Sequence, residues 1–314
     1  LVDNDIKFIQ IPSGKLRVYP SFETVTDLFK TFFGCFVALF KLYSIYPDVV
    51  FVKGGYASFP VAFAAKVLSI PVVVHESDTV PGRVTKWAGK FASRVALSYK
   101  EAASFYPTEV TAYTGQPIRD SLLPPENFYR MYEKKERPVV MVLGGSQGSK
   151  AINEAVLRAL PEMLQKYDVV HQAGDGNAEE VKKIASELLY QHPFKDRYYV
   201  EGFIDMSIFY SKVDMVITRA GSAMFEMALW RLPIIVIPIP ETVSRDQVTN
   251  AYTMSGHGIA TVLEEGNTGP GILISEISRI LDTQDNYEKM SQAGAYFENS
   301  RTAATVIARE LIRI

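Results

Sequence analysis

The sequence predicts an α/β protein with two domains, each built on a parallel β-sheet with helices on both faces. Short apolar runs rich in Val and Ile alternate with segments of helical periodicity along most of the 314 residues, and this alternation is typical of βαβ units. The runs are bounded by Gly or Pro and contain few polar residues, as expected for strands that are buried on both faces. A chain of this length suits two domains of ordinary size.

Each half of the chain has its own set of predicted elements. Strands are predicted at Lys7–Ile11, Asp48–Val52, Pro71–His75, Arg94–Leu97, Val110–Thr114, Val139–Leu143, Val169–Gln172, Tyr198–Glu201, Met215–Thr218, Ile234–Ile237 and Ile259–Val262. Helices are predicted at Thr24–Ser44, Ala57–Ser69, Gly82–Phe91, Ser149–Gln165, Ala178–Gln191, Ser222–Arg231, Asp246–Gly256 and Ala303–Ile314.

The periodicity is lost between the two halves. The segment 115–138, GQPIRDSLLPPENFYRMYEKKERP, combines prolines with a run of mixed charge, which is typical of a linker. We therefore expect a first domain over residues 1–117, a hinge over 118–137 and a second domain over 138–300. A terminal helix over 301–314 follows, and the sequence leaves open on which domain it packs.

The composition excludes several classes of protein. A net charge of −2 does not suit a dedicated nucleic-acid binder. The single cysteine, Cys35, cannot form an internal disulfide and is expected to pack in a core. The first ten residues lack the basic and apolar regions of a signal peptide. The most apolar stretch, Thr31–Phe40, is bracketed by Lys30 and Lys41 and is shorter than the ~20 residues of a membrane span, so no transmembrane helix is expected.

The stretch from Val216 to Ala251 predicts a nucleotide-sugar site. It contains two buried strands, and polar residues follow each of them, at the carboxyl edge where open α/β sheets bind ligands. A carboxylate such as Glu226 at a helix start can accept from two vicinal sugar hydroxyls, and Gly221 lets backbone amides approach a phosphate. The alternatives are a solvent-facing first-turn acid for Glu226 and a polar helix surface for Gln247 and Asn250.

A glycine-rich turn, GGSQGS at Gly144–Ser149, leads from a predicted strand into a helix. Backbone amides at such a helix start can bind a phosphate, and Ser146 can donate a further hydrogen bond. The alternative is a plain tight turn. The motif does not match the pattern of P-loop ATPases.

Two further turns in the first half follow predicted strands: KGGYASFP at Lys53–Pro60 and HESD at His75–Asp78. Glu76 and Asp78 are candidates to meet a hydroxylated substrate, whereas His75 is expected to be a core histidine and a metal site is disfavoured. Arg119, which follows Gln-Pro-Ile in the linker, could reach a diphosphate or form a surface salt bridge of little energetic value.

These motifs together resemble the MurG family of glycosyltransferases, which belongs to glycosyltransferase family 28 and adds N-acetylglucosamine to lipid I in peptidoglycan synthesis. The resemblance covers nearly the whole chain. The motifs that carry it, in family order, are KGGYASFP (Lys53–Pro60), HESD (His75–Asp78) with Pro81-Gly82, GQPIR (Gly115–Arg119), GGSQGS (Gly144–Ser149), GFI (Gly202–Ile204), TRAGS (Thr218–Ser222) with Glu226, and DQVTNA (Asp246–Ala251).

The resemblance implies a GT-B fold, in which two Rossmann-like domains with parallel sheets face a cleft, and it implies a peripheral enzyme at the cytoplasmic face of the membrane. It implies UDP-N-acetylglucosamine as the donor and neither a cofactor nor a metal. The implied donor contacts are Arg119 and Ser146 at the diphosphate, the backbone of Ile204 at the uracil, Gly221, Ser222 and Ala223 at the phosphates and ribose, Glu226 at the ribose hydroxyls, Gln247 at the sugar hydroxyls, and Gln147 and Asn250 beside them. The implied catalytic, acceptor-side residues are Tyr56, Glu76 and Asp78.

The acceptor, lipid I, is a lipid, so an anionic membrane surface is an expected partner. Aromatic and basic residues of the first half could form the contact; they are Phe22, Phe29, Phe32, Phe33 and Trp87 with Arg17, Lys30, Lys86 and Lys90. The alternative is that the Phe-rich segment is a core helix.

The chain departs from the family in three ways. The family's first strand ends in a glycine-rich GGTGGH loop whose His is a candidate general base, and this sequence does not contain it, so we expect the first strand, the first helix and the second strand of the fold to be missing. The interval from Arg219 to Glu226 is one residue shorter than in many relatives. Asp78 stands where many relatives carry Asn.

The alternatives to a lipid I transferase are a 2-epimerase-like or glycolipid-synthase-like GT-B enzyme, and a chain that binds the UDP-sugar without turnover.

Overall fold

The computed structural model describes residues 6–14, 22–145, 147–242 and 245–314. The chain divides into two compact units, one formed by Leu1–Gln116 with Thr302–Ile314 and the other by Pro117–Arg301. The terminal helix, which the sequence could not assign, therefore packs with the first unit; Arg94 Nε donates to Glu310 Oε1 of this helix at 2.6 Å.

Strands and helices alternate along both units. The strands are β1 (Val50–Val52), β2 (Val72–Glu76), β3 (Arg94–Leu97), β4 (Thr111–Tyr113), β5 (Val139–Leu143), β6 (Asp168–Gln172), β7 (Tyr198–Glu201), β8 (Met215–Thr218), β9 (Ile234–Val236) and β10 (Ala260–Val262). The helices are α1 (Phe22–Ile45), α2 (Phe59–Val67), α3 (Arg83–Ala88), α4 (Lys150–Met163), α5 (Ala178–Leu188), α6 (Met206–Phe209), α7 (Ala223–Leu229), α8 (Arg245–Gly256), α9 (Pro270–Leu281), α10 (Gln284–Ala293) and α11 (Ala303–Arg313).

The first unit contains a four-stranded parallel sheet in the order β1-β2-β3-β4. Its core forms where the small side chains of α2, Ala62 and Ala65, allow close approach to Ala38 and Leu42 of α1. Cys35 is buried on the same side of α1, which confirms the prediction that it packs in a core.

Helix α1 confirms the predicted helix Thr24–Ser44, beginning two residues earlier and ending one residue later. Within α1, the 22 residues Thr24–Ile45 have a mean hydropathy of 1.5, and 17% of the apolar window is buried; by length and composition this part of the helix could cross a membrane. The apolar segment is longer than the sequence indicated, because Lys30 and Lys41 lie within one helix and do not bound it, while the expected absence of a transmembrane helix stays a prediction. Length and composition alone are weak evidence for a span, since core helices of soluble proteins meet the same criterion.

The predicted strand at Lys7–Ile11 is wrong: residues 6–14 are described and have no regular secondary structure. The backbone of this segment bonds to α1 instead of to a strand edge, since Gly14 N donates to Thr31 Oγ1 at 3.0 Å. A Cβ at Gly14 would lie 2.0 Å from Asp27 O, so only glycine permits this close approach. Alternating hydrophobicity predicted a strand here, but an isolated segment cannot satisfy its backbone groups by sheet pairing.

The second unit contains a six-stranded parallel sheet in the order β10-β9-β8-β5-β6-β7. The chain adds β6 and β7 on one side of β5, then crosses to add β8, β9 and β10 on the other. The strand order therefore reverses between β5 and β8, and a reversal of this kind marks the ligand crevice of open α/β sheets.

The segment after Pro117 packs on the second unit. The guanidinium of Arg130 donates to the carbonyls of Trp230 (3.0 Å), Val213 (2.7 Å) and Tyr210 (2.7 Å). Trp230 Nε1 donates to Leu122 O at 2.8 Å. These bonds fix the segment against the unit that follows it, while the hinge at 118–137 stays a prediction.

We predict that Arg130→Met lowers the free energy of unfolding by about 2–4 kcal/mol, because three carbonyls lose a charged donor. Urea denaturation followed by circular dichroism measures the change. Arg158→Met on the exposed face of α4 is the matched control and should change stability by less than about 0.5 kcal/mol. Equal stabilities of the two variants would contradict the role given to Arg130.

Candidate functional site

The glycine-rich turn after β5 can be formed only by glycine at its tightest point. Gly145 and Gly148 have φ of 87° and 77°, and a Cβ at Gly148 would lie 2.0 Å from Ala173 O. Helix α4 then begins, with Ser149 Oγ accepting from Ile152 N at 3.3 Å. Main-chain amides and a helix start thus lie together at the carboxyl end of β5. Ser146 lies outside the described residues, and Gln147 is exposed.

Ile204 lies in the turn after β7 and is buried. Its N–H donates to Gln172 Oε1 at 3.0 Å, so the N–H is already bonded within the protein. The carbonyl is then the main-chain group of Ile204 that could bind a base. Gln172 also donates from Nε2 to Gly145 O at 3.2 Å. Sequence reasoning did not single out Gln172, although its place at the end of a predicted buried strand was a signal.

Glu226 lies in the first turn of α7 and is half-buried. Its Oε2 accepts from the hydroxyl of Tyr210 at 2.7 Å, and Tyr210 is fully buried. Burial raises the pKa of Glu226, while the Tyr210 hydrogen bond and the charge of Arg119 act in the opposite direction. The alternative of a solvent-facing first-turn acid is therefore wrong.

The turn between β8 and α7 exposes its backbone. Gly221 and Ser222 are exposed and Ala223 is half-buried, and a Cβ at Gly221 would meet no atom within 4 Å. Arg219, in the same motif, does not belong to this exposed surface. Its guanidinium donates to Ile237 O at 2.9 Å and pairs with Glu265 Oε1 at 2.5 Å, which ties the ends of β8 and β9 together.

The side chains predicted on α8 lie in two environments. Gln247 is half-buried, and its Oε1 accepts from Ile239 N at 3.2 Å, which leaves its amide NH2 as the donor for a ligand. Asn250 is only 3% exposed. The alternative of a polar helix surface is therefore wrong for Asn250. That both residues contact a donor sugar stays a prediction.

The acceptor-side candidates follow β1 and β2 of the first unit. Glu76 is buried, and its Oε2 accepts from the hydroxyls of Thr85 and Tyr106, the latter at 3.1 Å. Its Oε1 accepts from the N–H of Asp78 at 3.0 Å. Burial raises the pKa of Glu76, while the hydrogen bonds that it accepts lower it. This arrangement makes Glu76 the support of the turn that carries Asp78.

The other two acceptor-side candidates are more accessible than Glu76. Tyr56 is 45% exposed, and Asp78 is half-buried. The catalytic assignment of Tyr56, Glu76 and Asp78 stays a prediction.

His75 is a core histidine, as predicted. It is fully buried, with Nε2 placed 3.1 Å from Ser98 Oγ and 3.5 Å from Gly115 O. Ser98 in turn donates to Gln116 Oε1, so Nε2 carries the proton and donates to Ser98. Burial, with the charge of Lys53, lowers the pKa of His75 to about 3, and the ring is neutral at physiological pH. Within the described ranges, no group of three or more His, Cys, Asp or Glu residues could hold a metal ion.

Both halves of the chain match one family of glycosyltransferases. The chain matches the glycosyltransferase family 28 N-terminal domain over residues 2–97 and the C-terminal domain of the same family over residues 139–307. It is 36% identical, over 90% of its length and 80% of the relative's, to UDP-N-acetylglucosamine–N-acetylmuramyl-(pentapeptide) pyrophosphoryl-undecaprenol N-acetylglucosamine transferase 2 of Bacillus anthracis. It is 34% identical, over 94% and 83%, to the transferase of that name from Clostridium kluyveri.

Solved structures show the same fold. The chain superposes on MurG of Acinetobacter baumannii with a TM-score of 0.74 and 23% identity, covering 100% of this chain and 86% of that one. It also superposes on a UDP-GlcNAc 2-epimerase of Neisseria meningitidis bound to UDP-GlcNAc, with a TM-score of 0.64 and 15% identity over 95% and 84%. The fold is GT-B, and the chain belongs to glycosyltransferase family 28, among its MurG transferases.

Proposed function

We propose that this hexosyltransferase moves N-acetylglucosamine from UDP-N-acetylglucosamine to the C4 hydroxyl of the muramic acid of lipid I. The observation that carries the proposal is Glu226, a half-buried carboxylate held by Tyr210 at the reversal of strand order, in a chain that is 36% identical to a transferase named for this reaction. Lipid II and UDP are then the products.

The donor would lie along the carboxyl edge of the second sheet. The turn at Gly145 and the guanidinium of Arg119 would meet the diphosphate, where positive potential stabilises the leaving group. The carbonyl of Ile204 would meet the uracil, and Glu226 would accept from the ribose hydroxyls. Gln247 would donate to the sugar, with Gln147, Ser222 and Asn250 beside it.

Transfer would invert the anomeric centre. A base removes the proton of the acceptor hydroxyl, whose oxygen attacks the anomeric carbon as UDP leaves from the opposite face, through a transition state of oxocarbenium character. Since the oxygens of Glu76 are occupied by hydrogen bonds within the protein, we assign it the support of the HESD turn. Asp78 and Tyr56 are then the residues that contact the acceptor.

Product analysis tests the reaction. With UDP-N-acetylglucosamine and lipid I, we expect a lipid-linked disaccharide and one UDP for each disaccharide formed. With UDP-N-acetylglucosamine alone, we expect the UDP-sugar to remain unreacted. Formation of a 2-epimer from the UDP-sugar would support the epimerase alternative instead. Binding of UDP by calorimetry without turnover would support a binding chain.

We predict that Glu226→Ala raises the Michaelis constant for UDP-N-acetylglucosamine by roughly tenfold to a hundredfold, because a carboxylate that accepts ligand hydroxyls is lost. Tyr210→Phe removes only the support of that carboxylate and should raise the constant by less, roughly threefold to tenfold. Steady-state kinetics with varied donor measures both. Glu180→Ala, at an exposed first-turn acid of α5, is the control and should leave the constant unchanged. Unchanged kinetics in Glu226→Ala would remove Glu226 from the site.

We also propose a peripheral location at the cytoplasmic face of the membrane, where the acceptor lies. One face of α1 carries exposed phenylalanines; they are Phe29, Phe32, Phe33, Phe36 and Phe40. These positions recur at helical spacing, opposite the buried Cys35 and Ala38, so the alternative of a core helix is wrong for this face. An exposed aromatic stripe of this kind suits the membrane interface.

The remaining residues of the expected membrane contact do not all lie on the exposed surface of the first unit. Trp87 is half-buried between Phe59 and Phe91, at ring distances of 5.1 and 4.9 Å, so it packs within the unit. Arg17 and the side chain of Phe22 lie outside the described residues. Lys30, Lys86 and Lys90 are exposed and remain the proposed contacts for anionic lipid headgroups.

We predict that the double change Phe32→Asp and Phe36→Asp abolishes co-flotation with vesicles that contain anionic lipid, because two apolar contacts become charged. The wild-type chain should float more with anionic than with neutral vesicles. Tyr190→Asp, at a residue of the second unit that is 78% exposed, controls for added surface charge. Flotation of the double variant at the wild-type level would overturn the proposed surface.

A further inference from the structure

Gln172 occupies the central position among three strand ends of the second sheet. It is the last residue of β6, which lies between β5 and β7, and it pairs with Leu143 on one side and Glu201 on the other. The turn with Gly145 follows β5, and the turn with Ile204 follows β7. Gln172 therefore lies between the two turns that the proposed function gives to the diphosphate and to the base, and it is only 6% exposed.

The side-chain amide of Gln172 joins these two turns. Its Oε1 accepts from the N–H of Ile204 at 3.0 Å, and its Nε2 donates to Gly145 O at 3.2 Å. The orientation of the amide is fixed by its partners, because a donor N–H must face the oxygen and an acceptor carbonyl must face the NH2. A buried amide bonded at both ends holds both partners in place.

We propose that Gln172 is a positioning residue for the nucleotide of the donor: it sets the distance between the main chain at the diphosphate and the main chain at the base. This proposal rests on the proposed function. Since Gln172 takes the N–H of Ile204, the group left to the base is the carbonyl. A fixed carbonyl accepts from an imide N–H such as that of uracil, whereas cytosine has no hydrogen at that ring nitrogen.

Glutamine is suited to this position because it has an acceptor and a donor on one planar group. Methionine at this position has nearly the same length and no strong hydrogen-bonding group. Glutamate would keep the acceptor for Ile204, but when ionised it would place a carboxylate oxygen against the carbonyl of Gly145. A protonated glutamic acid could again accept from Ile204 and donate to Gly145. Gln172→Met and Gln172→Glu thus separate loss of the bridge from a bridge that depends on pH.

The test uses the full chain and UDP as the probe. For Gln172→Met we expect the Kd for UDP in calorimetry to rise roughly tenfold, since two hydrogen bonds that hold the ligand turns are lost. The ratio of the Kd values for CDP and UDP should fall severalfold, and the Michaelis constant for lipid I should stay unchanged. Tyr167→Phe, which removes the buried bond between Tyr167 and Ser278, controls for a general loss of stability and should bind UDP as the wild type does.

The second measurement is the pH dependence of the UDP affinity of Gln172→Glu. This dependence is not expected if Gln172 contributes only to packing. Relative to wild type at each pH, its loss of UDP affinity should be largest at pH 8 and should shrink towards pH 5.5, because the acid becomes protonated and the bridge reforms. The loss in Gln172→Met should not vary with pH. A wild-type Kd and a wild-type ratio for CDP and UDP in Gln172→Met would overturn the proposal.

Hydrogen exchange separates this proposal from the proposed function. In the absence of ligand, Gln172→Met should accelerate exchange of the Ile204 amide at least tenfold, while Tyr167→Phe should not. If wild-type protein fails to bind UDP, the proposed function fails, and the exchange result still decides whether Gln172 holds the turn. Unchanged exchange at Ile204 would overturn the positioning role.

Discussion

Parallel pairing on both sides of β5 is the constraint on which the candidate donor site depends. Because β6 and β8 both run parallel to β5, the turns after all three strands lie at one edge of the sheet. The chain crosses over β5 to add β8, and β8 then pairs with β5, so the glycine-rich turn and the turn that carries Gly221 follow neighbouring strands. No binding residue needs to be close to another in sequence, because the strand directions bring them together.

Residues that lie below this edge keep the turns in shape without facing a ligand. His171 is fully buried, with Nδ1 2.7 Å from the hydroxyl of Tyr198 and Nε2 3.0 Å from Asn153 Oδ1. Asn153 in turn donates to Ala173 O, against which Gly148 packs. Burial lowers the pKa of His171 to about 3, so the ring is neutral and must donate from Nε2, since the amide oxygen of Asn153 can only accept. The glycine-rich turn therefore rests on a neutral hydrogen-bonded network.

The sequence predicted most of the second sheet because its strands are β-branched runs that end at turn residues. The bounds of β5, β7 and β8 are those predicted, and α4 and α5 differ from their predictions by one to three residues at an end, whereas the short α6 between β7 and β8 was not predicted. The segment at Lys7–Ile11 shows the limit, since its sequence alternates as in a strand, but no strand among the described residues pairs with it. Gln172 and Tyr210 show a second limit. Their partners lie 32 and 16 residues away, and no local pattern indicates which distant group a buried polar side chain will meet.

Glu76 and Glu226 differ in how much hydrogen-bonding capacity remains once each carboxylate is buried. Both lie at strand ends, both accept from a tyrosine, and burial raises the pKa of both. A carboxylate has about four acceptor positions. Glu76 fills three of them with Thr85, Tyr106 and a backbone N–H, whereas Glu226 accepts one hydrogen bond from the described residues. Burial without further donors is costly, so the hydroxyls of the proposed donor would complete the environment of Glu226 more than hydroxyls at Glu76 would.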